Sequence, residues 1–150
     1  MNLTNHFTLE ELTDSGKARE LKIDNTPPPS IVANLRYTAH VLELVRAWLG
    51  NNPMSVTSGY RNPAVNRAVG GASNSDHLQG VAADFRCPGY GPPLAVCRRL
   101  AASDLPFNQL IYEGTWTHIG IAPPGTLARR EVLTAHFANG KATYTRGLPA

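Results

Sequence analysis

The stretch SNSDHLQGVAADFR, residues 73–86, holds an imidazole at His77 and a carboxylate at Asp84. Both groups bind metals, and for one ion to take both, the donor atoms must converge, because each zinc–ligand bond is about 2 Å long. Seven residues cover roughly 10 Å on a helix and more than about 20 Å on a strand. Neither regular structure suffices, so the chain must fold back between the two residues. Gly80 is the residue that permits such a turn, since it lacks a Cβ and accepts positive φ. On the strand expected after it, Ala82 and Asp84 share one face while Val81, Ala83 and Phe85 share the other. Asp84 then faces a site while Val81 and Phe85 enter a core. Read alone, the stretch fits two ligands of one metal. It fits equally a loop histidine that merely precedes an exposed strand carboxylate.

A catalytic zinc site usually takes three protein ligands and a water. The best third candidate is His118 in EGTWTHIGI, where alternation sets Trp116, His118 and Gly120 on one face and Ile119 and Ile121 on the other. Five residues earlier, Glu113 ends QLIYE, near enough to reach the same cleft and work as a base on a water.

These residues need a scaffold. After TPPPS, the apolar residues Ile31, Leu35, Leu42, Val45 and Leu49 recur at helical spacing, with Ser30 as the expected N-cap and Gly50 and Pro53 as the stop. FTLEEL reads as a short turn of helix with Thr8 and Glu11 in the capping-box relation, and the three prolines as a stiff connector. MSVTSGY (54–60) alternates as a strand, and PAVNRAV opens with a helix-compatible proline and closes at Gly70 and Gly71. GGASNSDHLQG is expected as a loop, VAADF as a strand, PPLAVCRRLAAS as an amphipathic helix, and QLIYE, THIGI and VLTAHF as strands. The class is a small α+β domain spanning residues 1–150, with an antiparallel sheet carrying the site and helices flanking it.

Composition sets the outer limits. At 150 residues the chain has room for one core but not for a catalytic domain plus a second folded module. With 42% hydrophobic and 17% charged residues it is not a disordered chain. MNLTNHFTLEELT lacks the basic and apolar regions of a secretory signal, and no run approaches a membrane span. A soluble cytoplasmic protein without stable membrane insertion is expected. Cys87 and Cys97 lack zinc-ribbon or C-x-x-C spacing and read as buried or half-buried thiols. The net charge of +3 is spread along the chain, favouring approach to polyanions, and no nucleic-acid-binding fingerprint is present.

Beyond the individual residues, three segments in order resemble a known family. SDHLQGVAAD fits the pattern S-x-H-x-x-G-x-A-x-D, and EGTWTH fits E-x-x-W-x-H. The upstream TSGYRNPAVNRAVGG looks like the segment that precedes the first ligand. The patterns are those of zinc D-Ala-D-Ala carboxypeptidases and related peptidoglycan peptidases, the M15 peptidase family, and the similarity covers roughly residues 30–121. The resemblance implies a Hedgehog/DD-peptidase-like fold and one zinc ion per chain held by His77, Asp84 and His118, with Glu113 as general base. It also implies that Arg61 holds the substrate or its polarised carbonyl, and that Ser75 and Trp116 shape the substrate cleft. The partner implied is the peptidoglycan stem peptide, met by a monomer. The narrower expectation is a phage-type endolysin, held in the cytoplasm until released to the cell wall, cutting L-Ala-D-Glu or a cross-link. The alternatives are a D-Ala-D-Ala carboxypeptidase and, from another class, a zinc-stabilised envelope-binding or virion module without turnover. Glu113 beside a complete ligand set argues for turnover.

Overall fold

A computed structural model describes residues 1–150. The chain forms α1 (Leu9–Thr13), α2 (Gly16–Leu21), α3 (Pro29–Trp48), β1 (Ser55–Ser58) and α4 (Pro63–Ala68). A short 3-10 helix (Asp76–Gln79) leads into β2 (Ala82–Arg86), followed by α5 (Pro93–Ala101), β3 (Phe107–Tyr112), β4 (Thr117–Ile121), β5 (Glu131–Ala138) and β6 (Lys141–Arg146). One six-stranded sheet has the order β1-β2-β4-β3-β5-β6. Its pairs are antiparallel except β3 with β5, so the expected antiparallel sheet is mixed at one junction. The cause lies in the connection after β4. It returns past the start of β3, where Arg130 N donates to Phe107 O, so β5 sets out alongside β3 in the same direction.

The alternation expected for the strands is what builds the core. Ala83, Phe85, Leu110, Ile119 and Ile121 join Leu35, Ala39, Leu42 and Val45 of α3 and Val96 and Leu100 of α5 in one buried cluster. Each large apolar side chain buried this way contributes on the order of 1.5–3 kcal/mol. The strand faces are therefore strongly fixed, and Asp84 and His118 are left on the face away from the core.

Several local details differ from expectation. Helix α3 starts at Pro29 with Pro28 as its cap and no side-chain cap bond, so Ser30 lies inside the helix. Proline at the first helical position needs no donor and already has a helical φ, which moves the start ahead of Ser30. At α1 the Thr8 hydroxyl accepts from Glu11 N at 3.1 Å, but the Glu11 carboxyl is buried without a partner, so the box is half formed. Helix α2, strand β6 and the 3-10 helix add to the expected elements. Cys87 and Cys97 are both buried and free. No helix is long and apolar enough to cross a membrane.

Candidate metal centre

Two of the three converging groups are set by strand register. Asp84 of β2 pairs directly with His118 of β4, and directly opposed residues project from the same face about 5 Å apart. His118 Nδ1 lies 2.8 Å from Asp84 Oδ1.

His77 reaches them from the loop. The Ser75 hydroxyl caps the 3-10 helix by accepting from His77 N at 3.2 Å. Gly80 then turns the chain at φ 70°, in the left-handed region. Its carbonyl accepts a 2.7 Å bond from the buried Thr38 hydroxyl of α3, and the Gln79 carbonyl accepts from Asn34 at 2.8 Å. The loop is thus fastened to the longest helix. His77 Nδ1 lies 2.6 Å from the Gly59 carbonyl. A carbonyl can only accept, so Nδ1 carries the proton and Nε2 turns a lone pair toward the sheet. Nε2 lies 3.4 Å from Asp84 Oδ1.

The ligand atoms of His77, Asp84 and His118 all fall within 4.8 Å of one another, and the imidazole rings meet edge-on with centroids 5.2 Å apart. Two imidazole nitrogens and one carboxylate oxygen, two of the side chains buried and the third nearly so, suit a zinc ion with a fourth position left for water or substrate. The fixed tautomer of His77 adds to the fit, because a ligating histidine needs its other nitrogen engaged.

The electrostatics agree with a cation-binding cluster. Burial opposes ionisation of Asp84, but hydrogen bonds from His118 and His77 overcome it and hold the carboxyl well below its usual range. For His77 burial dominates and keeps the ring neutral, as a ligand must be, despite Asp84. Burial also works against protonation of His118. There the bond and charge of Asp84, helped by Glu113 and Asp76, win, and its pKa rises.

Glu113 and Trp116 close the turn between β3 and β4, where Glu113 N donates to Trp116 O at 3.1 Å. The indole Nε1–H donates to Glu113 Oε2 at 2.6 Å and so orients the carboxylate. Burial first, and then the negative charge of Asp84, raise the Glu113 pKa. Arg61 is bonded to the loop that carries His77. Its backbone N–H donates to the His77 carbonyl at 3.1 Å and its Nη2 to the Ser75 hydroxyl at 3.3 Å. Burial lowers its pKa while Asp84 and Glu113 pull it back up, and its buried Nε has no partner within the protein.

The structure therefore brings together all seven residues singled out in the sequence. Ser75 bridges Arg61 and the His77 loop, and Trp116 touches Glu113. Sequence reasoning passed over Gly59, Thr38 and Asn34, whose contributions run through backbone carbonyls or to them and leave no motif. It also passed over Asp76, whose Oδ2 would lie 2.9 Å from a Cβ at residue 120, so Gly120 makes room for it beside His118. His6 pairs with Glu43, His136 lies near Thr145, and His40 is exposed, all outside the cluster.

A family model described as Peptidase M15 matches residues 5–120. A zinc D-Ala-D-Ala carboxypeptidase of Streptomyces albus G is 41% identical over 59 residues, which is 39% of this chain and 23% of that protein. The matched stretch thus spans about a quarter of the relative's length.

Proposed function

This chain belongs to the peptidase M15 family, and on that footing we propose that it is a zinc peptidase hydrolysing an amide bond in the stem peptides of peptidoglycan. The observation that carries the reading is the convergence of the His77, Asp84 and His118 donors beside a carboxylate, Glu113, oriented by Trp116. In this reading the imidazoles of His77 and His118 and the carboxylate of Asp84 would hold one zinc ion. The chemistry that zinc supplies to such a site is polarisation of the scissile carbonyl and a lowered water pKa.

The remaining work falls to the protein's own groups. Glu113 takes the proton of the attacking water and returns it to the departing amine nitrogen. Burial and the charge of Asp84 raise its pKa and so make it a stronger base than a free carboxylate. Arg61 keeps a guanidinium within the field of Asp84 and Glu113, with Nε unpaired, and serves the carbonyl oxygen as negative charge develops or a substrate carboxylate. Ser75 positions Arg61.

The likeness to a D-Ala-D-Ala carboxypeptidase supports removal of terminal D-alanine. A second reading, an internal cut between L-Ala and D-Glu or at a cross-link as in a lytic phage enzyme, is supported by strand β5 and the exposed strand β6, which continue the sheet beyond β3 and so leave surface for substrate on both sides of the bond. Digestion of purified peptidoglycan followed by mass spectrometry separates them. Free D-alanine marks the first; new L-Ala and D-Glu ends or split cross-links mark the second. Glu113→Gln is expected to keep one zinc per chain and lose about 10²–10⁴-fold in turnover. Undiminished turnover in that variant would remove Glu113 as the base.

A further inference from the structure

On the site face the sheet does not end at Glu113. Tyr112 of β3 pairs with Thr134 of β5 at the end of that ladder; carried one residue further, the register sets Glu113 level with Ala135, and Ala135 pairs with Tyr144 of β6. Register carries the site face outward from Asp84 and His118 through Ile111 and Leu133 to Arg146. Ala135, Phe137 and Tyr144 share that face by alternation.

Two of these side chains are large, aromatic and open to solvent: Phe137 is 57% exposed and Tyr144 50%. The Phe137 ring lies 6.1 Å from that of Trp116, whose indole holds Glu113. Tyr144 is close enough to feel the site, since burial and then the charges of Glu113 and Asp84 raise its pKa. Between the aromatics and Glu113 the small Ala135 leaves the face low. On the opposite face the hairpin is braced by His136 Nε2 with Thr145 Oγ1 at 2.8 Å and by the Thr134 hydroxyl donating to Gly147 O at 2.7 Å. The whole hairpin lies outside residues 5–120, the span matched by the family model.

We infer that the β5–β6 hairpin is a substrate shelf, on which the peptide chain of the substrate runs from the scissile bond over Ala135 to contact Phe137 and Tyr144. This inference rests on the peptidase reading above. Two strand spacings separate Glu113 from Tyr144, about 10 Å in all. An extended peptide covers that distance in about three residues. The shelf therefore reads the second and third residues from the cut, with aromatic faces for apolar side chains and the Tyr144 hydroxyl for the substrate backbone. Arg146, on the same face, is placed for a substrate carboxylate.

The test uses zinc-loaded full chain and two synthetic stem peptides. One carries a single residue on each side of the bond identified by product analysis; the other is extended by three residues on both sides. Wild-type protein is expected to cut the extended peptide at least about tenfold more efficiently. Tyr144→Ala is expected to lose about three- to tenfold in kcat/KM on the extended peptide, through KM, and nothing on the short one, whereas Phe137→Ala, whose ring also rests on Trp116, is expected to lose more on the extended peptide than on the short one. Zinc content stays at one per chain. Variants that match wild type on the extended peptide, or that lose equally on both, overturn the shelf alone. A wild-type protein that cuts neither peptide nor peptidoglycan overturns the peptidase reading on which the shelf depends.

Discussion

Replacing Trp116 with phenylalanine tests how Glu113, the proposed general base, is tuned. The change keeps an aromatic ring against Phe137, which lies 6.1 Å away, and deletes only the indole N–H that donates to Glu113 Oε2 at 2.6 Å. A hydrogen bond to a charged group is worth about 1.5–3 kcal/mol, and each pKa unit corresponds to about 1.4 kcal/mol. Full loss would thus raise the Glu113 pKa by about one to two units, and partial solvent access at this half-buried turn trims that to about one. The bond favours the charged form, so its removal adds to the upward push already exerted by burial and Asp84. If Glu113 must be ionised to accept a proton, kcat/KM rises with pH through its pKa. The acid limb should then move upward by about one unit in Trp116→Phe. Activity falls about tenfold on the acid limb and hardly at all on the plateau. The assay is a pH profile of kcat/KM on a stem peptide. A uniform loss at every pH, with the limb unmoved, refutes the assignment of Trp116 as the group that tunes Glu113.

Gly80→Ala forces a Cβ into a left-handed turn, with Ile31 Cγ2 and Leu35 Cγ each 3.1 Å away. A cost of about 1–3 kcal/mol in urea unfolding and weaker zinc binding by titration are expected, and unchanged values for both would contradict the role given to this turn. Thr38→Val keeps the shape but strands the Gly80 carbonyl, so about 1–3 kcal/mol should be lost, read by the same unfolding experiment. Removing zinc with a chelator should lower the melting temperature and abolish turnover. At zinc concentrations about 1,000-fold above the dissociation constant the ion contributes about 4 kcal/mol of stability. Identical melting with and without chelator would argue against a site of this affinity.

Helix α3 was legible in the sequence because Ile31, Leu35, Leu42 and Val45 are buried at the spacing in which they appear. The site face was legible for a related reason. Ala83, Phe85, Ile119 and Ile121 must enter the core, which leaves Asp84 and His118 outside it. Helix α2 was not legible, since it buries only Ala18 and is held by its Ser15 cap. Strand β6 is exposed along its whole length and shows no burial alternation to read. The parallel pairing of β3 with β5 depends on where a nine-residue connection happens to return, and local sequence carries little of that. Motif spacing pointed to His77, Asp84 and His118, yet the bonds that hold the His77 loop run to the backbone carbonyls of Gly59, Gln79 and Gly80, which leave no motif in the sequence.

The three donors are held by different means, and this decides where the site is vulnerable. Asp84 and His118 are coupled to the core, because a one-residue slip between β2 and β4 would expose Phe85 and Ile119 along with burying the ligands. Their placement is as secure as the fold itself. His77 has no such guarantee. Its position depends on Ser75, Gly80, the Gly59 carbonyl, and the Thr38 and Asn34 bonds to α3, each of which can fail while the sheet stays intact. Substitutions on the loop-facing side of α3 should therefore weaken metal binding well before they unfold the protein. Substitutions in the β2–β4 core should abolish both together. The two signatures separate in a zinc titration run beside a urea melt, and loss of zinc affinity in Asn34→Ala at unchanged unfolding midpoint is the clearest expected case.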